Sequence, residues 1–277
     1  MARAAVAGIP GLSSISHTRH RASDLPNLVL RFQNQSIDLD RLTAYSRVCG
    51  FGLKTSLPVT YPHNLAFGLQ LALLTDKSFP LPALGLVHIN NSITQFRPVQ
   101  TSDRLDLDVR AANLRPHRRG RQFDVMTTAT VAGSVVWEET TTLLSRGDGR
   151  PADSDSRPDP PPVGHIQWRL GADLGRRYAA VSGDYNPIHL YGITARAFGF
   201  RRPIAHGMWS LARCLAQLEG RLPSGYTVET AFRKPILLPA TVAFATLTQN
   251  ENVSFVLADA RGGIPHLSGT IIHTAAA

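Results

Sequence analysis

The chain reads as an α+β protein built from a duplicated unit, each copy a buried helix followed by an antiparallel sheet. Three observations carry that expectation. Residues 93–111, "ITQFRPVQTSDRLDLDVRA", are echoed by residues 229–247, "ETAFRKPILLPATVAFATL", so a Phe-Arg-Pro corner leading into a strand-like run occurs twice. Between the copies lies a Pro- and Asp-rich stretch without apolar period, residues 147–164, which reads as an extended, solvated connector. Each corner is also preceded by a segment that is apolar nearly all round, as suits a central rather than a surface helix.

The elements follow in order. The helix candidates are "HNLAFGLQLALLT" (63–75) and "HGMWSLARCLAQLEG" (206–220). After the first corner come "RLDLDVRAANL", "RQFDVMTTATV" and "SVVWEETTTLL"; after the second come "TVAFATLTQ", "VSFVLADA" and "HLSGTIIHT". Alternation and β-branched content make these strands, with Ala132-Gly133-Ser134 and Arg261-Gly262-Gly263 as turns. Upstream of each helix, "IDLDRLTAYSRVCGFG" (37–52) matches "LGADLGRRYAAVSGDY" (170–185), which aligns Gly50 with Gly183. From Gly50 to His63 is 13 positions and from Gly183 to His206 is 23. The second copy therefore carries about ten extra residues, and with them a polar cluster that the first lacks.

Composition limits the function classes. An apolar fraction of 43% over 277 residues is enough for two ordinary cores. No apolar run approaches the ~20 residues of a membrane helix. Two cysteines, Cys49 and Cys214, cannot make a disulfide framework, and both sit in apolar, helix-like stretches as buried thiols do. That usage fits a reducing, cytoplasmic setting. Residues 1–24 hold Arg but no acid before Asp24, a composition shared with organelle transit peptides; Pro10-Gly11 breaks any amphipathic helix, so the segment reads as a surface arm. With 29 basic and 20 acidic residues the net charge is +9, which favours an anionic partner. The strongest basic cluster, "RPHRRGR" (115–121), lacks the interleaved aromatics of a nucleic-acid module.

The polar cluster is "SGDYNPIH" (182–189), followed by "FGFRRPIAHGM" (198–208). Asp, Asn and Pro alone would make only a turn. Together with the His-Gly pair, the two segments resemble the signature of the MaoC-like, R-specific enoyl-thioester hydratases of the hydratase 2 type. Because the first copy keeps the pattern without the motif, the chain is similar to the double-hotdog members. "HRRGR", "FRKPILLPAT" and the connector are similar to the mycobacterial-type (3R)-hydroxyacyl-thioester dehydratases. The expected organisation is an arm at 1–24, a hotdog without the motif at 25–146, a linker at 147–164 and a catalytic hotdog at 165–277.

Adding water to a double bond conjugated with a thioester needs a group to activate water, a proton for the α-carbon and donors for the enolate oxygen. Asp184 and His189 are candidates for the first two roles, which this reading leaves unassigned between them. Pro187 fixes its own φ and keeps Asn186 extended, so the chain can turn and bring the pair together. Asn186 would position the loop or the carboxylate. Gly207 opens the central helix, where a free N–H and an absent side chain suit an oxyanion contact. The resemblance implies that contact and a syn addition, with no metal or other cofactor; zinc-spaced His/Cys clusters and phosphate-binding Gly loops are also missing from the sequence. His206 reads as a helix cap and His63 as a structural histidine. Tyr185 and Met208 are expected to wall the site. Arg118, Arg119, Arg201 and Arg202 are expected to meet phosphates of coenzyme A or the arm and acidic face of acyl carrier protein. Relatives of the single-hotdog type often carry serine eight residues after the glycine, where this chain has Leu215. The shorter first copy is expected to leave room for a long or bulky acyl tail. An internal pseudo-dimer is compatible with a monomer or a homodimer, and no nucleic acid is expected as a partner. The competing readings are a hotdog acyl-thioesterase and a non-catalytic acyl-thioester binding protein.

Overall fold

A computed structural model of the chain describes residues 13–15, 24–147, 166–249, 252–261 and 263–273. Most of the arm and of the connector, residues 1–12, 16–23 and 148–164, lies outside the described residues. The first half runs β1 (Ser13–Ile15), β2 (Val29–Gln35), α1 (Leu39–Cys49), α2 (Tyr61–Leu74), β3 (Val87–Gln95), β4 (Leu105–His117), β5 (Gly120–Val131) and β6 (Ser134–Arg146). The second runs β7 (Ile166–Leu170), α3 (Leu174–Ser182), a 3₁₀ turn (Pro187–His189), α4 (Gly192–Ala197), α5 (Gly207–Gln217), β8 (Tyr226–Phe232), β9 (Ala240–Gln249), β10 (Asn252–Asp259) and β11 (Pro265–His273).

Among the described residues the strands form one 11-stranded sheet in the order β1-β2-β4-β5-β6-β3-β8-β11-β10-β9-β7. Each half contributes the same arrangement, and β3 pairs antiparallel with β8 from Asn90↔Ala231 to Gln95↔Tyr226, so the two halves share one sheet. The repeat read from sequence is therefore a structural repeat. Five strands were not foreseen: β1, β2, β3, β7 and β8. β3 ("VHINNSITQ") is too polar to alternate, and its register shifts between His88 and Asn90; β7 has only five residues. Their pairing comes from neighbours distant in sequence rather than from local propensity.

The helices have local causes. Asp38 caps α1 by accepting from the amides of Asp40 and Arg41, both at 3.0 Å. Gly50 and Gly183 end α1 and α3 at φ 86° and 84°, the left-handed conformation that glycine takes without strain. α2 starts two residues earlier than expected because Pro62 sits in its first turn, where a missing N–H costs nothing. Tyr45, Tyr61 and Tyr178 bury their rings together where α1, α2 and α3 meet. Cys49 and Cys214 are buried free thiols. Among the described residues no helix is long and apolar enough to cross a membrane.

Candidate active site

The site grows out of the end of α3. Gly183 reverses the chain, and the Asp184 amide donates to Ser182 Oγ at 3.1 Å. The Asn186 amide then donates to Asp184 Oδ1 at 3.1 Å, which fixes the carboxyl group from the backbone. Asn186 is extended (φ −56°, ψ 124°), as the following proline demands, and its side-chain oxygen accepts from the Ile188 amide at 3.4 Å. Asn186 thus holds both loop and carboxylate, the latter through its main chain. The 3₁₀ turn lies so close to α3 that a Cβ on Gly175 would fall 1.9 Å from the His189 carbonyl oxygen. Residues 203–205 bind the turn to the second corner: Ile204 N donates to Ile188 O, Ala205 N to Ile236 O and Leu238 N to Pro203 O.

One polar atom each of Asp184, His189 and His206 lies within 4.8 Å of the others. His189 and His206 stack, with ring centroids 3.6 Å apart. His189 Nδ1 faces Ile204 O at 2.8 Å and donates its proton there, which leaves Nε2 with a free lone pair. Burial lowers the His189 pKa, opposed by the Asp184 carboxyl group, so the ring is neutral. His206 Nε2 faces the Asp184 carbonyl oxygen at 3.0 Å and lies 3.7 Å from Oδ2. Burial, then the neighbouring His189, push its pKa down to about 3. His206 occupies the N-cap position of α5, as expected, and its carbonyl accepts from the Ser210 amide at 3.1 Å, but its side chain makes no cap bond and stacks on His189 instead. By distance the three could bracket a cation, but His189 Nδ1 and His206 Nε2 are both turned to carbonyl acceptors. His206 Nδ1 is buried without a hydrogen-bond partner among the described residues.

Gly207 begins α5 as expected, and its amide has no intrahelical acceptor. The reason for glycine differs from the one expected. A Cβ there would meet the Phe232 ring at 3.1, 3.3 and 3.4 Å, so the absent side chain makes room for the second corner as well as for any ligand. Asp184, Asn186, His189 and Gly207 are thus gathered at one end of α5. Met208 is buried in the core, Tyr185 stands 60% exposed at the rim, and Leu215 is a core residue. Arg118 and Arg119 form the turn between β4 and β5; Arg201 and Arg202 are exposed on the loop before α5.

The sequence reading missed the contribution of the first half. Tyr178 packs its ring 4.9 Å from His206 and donates to Asn64 Oδ1 at 3.4 Å, linking α3 to the start of α2. One residue back, His63 Nδ1 donates to Glu139 Oε2 at 2.8 Å; Asn91 Nδ2 and Gln70 Nε2 donate to the same carboxylate at 2.7 and 3.3 Å. Burial pulls the His63 pKa down, but Glu139 outweighs it and raises the value. Burial pushes Glu139 up, and His63 outweighs that, so its pKa is lowered. The signal was available: alternation along "WEETTT" places Glu139 on the same inward face as Trp137 and Thr141.

A family model described as MaoC like domain matches residues 156–265. The chain is 37% identical over 257 residues to 3-hydroxyacyl-thioester dehydratase X of Mycobacterium tuberculosis, with 91% of each chain covered. The chain belongs to the MaoC-like dehydratase family. A crystal structure of HtdX from Mycobacterium tuberculosis superimposes with a TM-score of 0.80 at 36% identity, covering 89% of this chain and 100% of that one. A MaoC-like dehydratase from Phytophthora capsici matches with a TM-score of 0.71 at 18% identity, covering 89% and 95%. The second likeness speaks to fold alone, and the fold is the double hotdog expected from the repeat.

Proposed function

We propose that this MaoC-like protein interconverts (3R)-hydroxyacyl and trans-2-enoyl thioesters by reversible loss of water. The observation that carries the reading is His189, tied at Nδ1 to Ile204 O, with a ring nitrogen within 4.8 Å of the Asp184 carboxyl group. In hydration the water oxygen bonds to C3 and a water proton passes to His189 Nε2. The imidazolium then returns that proton to C2, so both elements of one water arrive on the same face and the base is regenerated. Asp184 orients the water and stabilises the imidazolium. The thioester oxygen, negative in the enolate, accepts from the Gly207 amide at the positive end of α5. This sequence needs no cofactor from outside the chain.

In this reading residues 165–277 carry the chemistry, residues 25–146 complete the pseudo-dimer and bound the acyl tail, and 147–164 connect them behind an arm at 1–24. Tyr185 and Met208 belong to the wall of the site, and Arg118, Arg119, Arg201 and Arg202 meet the carrier, coenzyme A or acyl carrier protein. Two buried free thiols suit a cytoplasmic protein, monomeric or homodimeric. The test follows loss of the conjugated enoyl absorbance with short and long trans-2-enoyl-CoA. Asp184→Asn and His189→Ala should each lower kcat by about 10²- to 10⁴-fold while the proteins stay folded. Folded wild-type protein that hydrates no enoyl thioester on either carrier sinks the reading. Release of free thiol instead supports a thioesterase.

A further inference from the structure

Away from the Asp184 turn, a cleft of about 440 Å³ opens between the end of α1, the start of α3, strand β7 and α5. Arg47, Arg169, Arg177 and Arg213 line it together with Trp168 and Trp209, and no acidic residue is among its described walls. Elsewhere the chain pairs arginine with acid: Arg31 with Asp108, Arg97 with Asp103, Arg115 with Asp124. In the cleft, by contrast, none of the four arginine side chains has a hydrogen-bond acceptor or ion-pair partner among the described residues.

Arg213 is the most informative of them. Its guanidinium lies 4.4 Å from the Trp168 ring centroid, and Phe244 stacks against the same indole at 5.3 Å, so the cation is held in place by aromatic contact. It is half-buried, and burial lowers its pKa. A partly desolvated cation without a counter-charge is unfavourable by itself and gains from any anion that reaches it. The N-terminal end of the nine-residue α3 borders the cleft through Leu174, with Asp173 at its N-cap position making no side-chain cap bond. The Leu174 amide is itself bonded to Gly171 O at 3.3 Å and the Asp173 carboxylate lies beside Gly171, so the arginines rather than this helix start supply the cleft's positive charge.

We propose that this cleft binds phosphoryl groups, with Arg213 as its fixed guanidinium and Arg47, Arg169 and Arg177 as its rim. The volume exceeds that of a single phosphate and suits a diphosphate or a nucleotide. The phosphates come either from the coenzyme A half of a thioester substrate or from a separate phosphorylated small molecule. Only the first source rests on the proposed dehydratase function. The four arginines that the basic-cluster expectation singled out, Arg118, Arg119, Arg201 and Arg202, are not among the residues of this cleft.

Tryptophan fluorescence of the full chain tests it directly, since Trp168 and Trp209 line the cleft and Trp137 is buried in the first half. Coenzyme A and inorganic pyrophosphate are the probes. At least one should give a saturable, salt-sensitive change in wild-type protein and in Asp184→Asn, with affinity falling tenfold or more in the exposed pair Arg47→Gln/Arg177→Gln and again in Arg213→Gln. No binding of either probe by wild-type protein overturns the proposal, as does binding that the arginine variants leave unchanged. Capture of acyl carrier protein with neither small anion bound also overturns it. Turnover separates the sources. If coenzyme A is the source, kcat/KM of the arginine variants falls tenfold on enoyl-CoA but not on the enoyl N-acetylcysteamine thioester, which has no phosphate. Lost pyrophosphate binding with unchanged turnover on both assigns the cleft to a separate ligand. Wild-type protein that binds probes in the cleft yet hydrates neither thioester refutes the dehydratase reading and leaves the cleft standing.

Discussion

Gly207→Ala separates two reasons for a glycine at the start of α5. In one, the added methyl blocks the thioester; in the other, it collides with Phe232. The Cβ would sit 3.1 Å from Phe232 Cε1, 3.3 Å from Cδ1 and 3.4 Å from Cζ, so ring or helix must yield by a few tenths of an ångström. Overpacking of this kind costs about 1–3 kcal/mol, offset by up to about 1 kcal/mol from alanine's better helix propensity. If the helix start moves, the Gly207 amide moves with it. A displacement near 1 Å costs roughly 10²-fold, so a few tenths predicts a kcat loss of about 3- to 30-fold. The assay is kcat and KM by enoyl absorbance, with Tm on the same samples. Adding Phe232→Leu removes the ring and should return kcat of the double variant to within threefold of Phe232→Leu alone. A loss beyond 10³-fold with unchanged Tm and no rescue would refute the packing argument and make the methyl a direct block.

Three further outcomes follow from the same geometry. Glu139→Gln leaves His63 facing an amide in a dry site and should destabilise the protein by roughly 3–5 kcal/mol, a Tm drop of about 6–20 °C; equal Tm values for variant and wild type contradict it. The His63–Glu139 contribution is largest between the ordinary values of 4.5 and 6.5, since lowered Glu139 loses it toward acid and raised His63 loses it toward alkali. His206 and His88, lowered to about 3 and about 4, refuse protons that the unfolded chain accepts below 6.5, so stability falls as pH drops from 6.5 toward 3. The slope is at most about 1.4 kcal/mol per histidine per pH unit, and a Tm that stays flat from pH 6.5 to 4.5 rules it out. Asn186→Ala removes the amide cap on Ile188 but leaves the backbone bond to Asp184, so kcat should fall roughly tenfold with KM little changed, checked by initial rates.

The duplication, the two central helices and six strands were legible because each leaves a local signature, whether an apolar helix or an alternating run closed by a turn. The seam strands were not. β3 is held by cross-strand partners such as Asn91↔Thr230, and its inward Asn91 answers to Glu139 of β6 rather than to an apolar period. At the site, Asp184, Asn186, His189 and Gly207 were readable since four residue types with special geometry sit close in sequence. His206 was read at its N-cap position, but its stacking on His189 was not, because stacking leaves no trace in spacing. The arginine cleft was invisible for the opposite reason: Arg47, Arg169, Arg177 and Arg213 are scattered singly, whereas the obvious run at 115–121 is a hairpin turn.

The same comparison supplies a reason for the proposed confinement of the site to the second half. In sequence Asn64 stands where the second half has Gly207, but the two amides differ in kind. α5 starts at Gly207, so that N–H is an orphan of the first turn; α2 starts at Tyr61, so the Asn64 amide is the first with an acceptor inside the helix, the Thr60 carbonyl. The shift follows from the missing ten residues. With no 3₁₀ turn or α4 to hold the chain away, the first half enters its helix early through Pro62 and spends the donor an oxyanion would need. Its remaining polar groups then turn inward: His63 closes on Glu139, and Asn64 accepts from Tyr178 of the other half. Restoring a glycine at position 64 would therefore not restore a second site, because the amide there is already used.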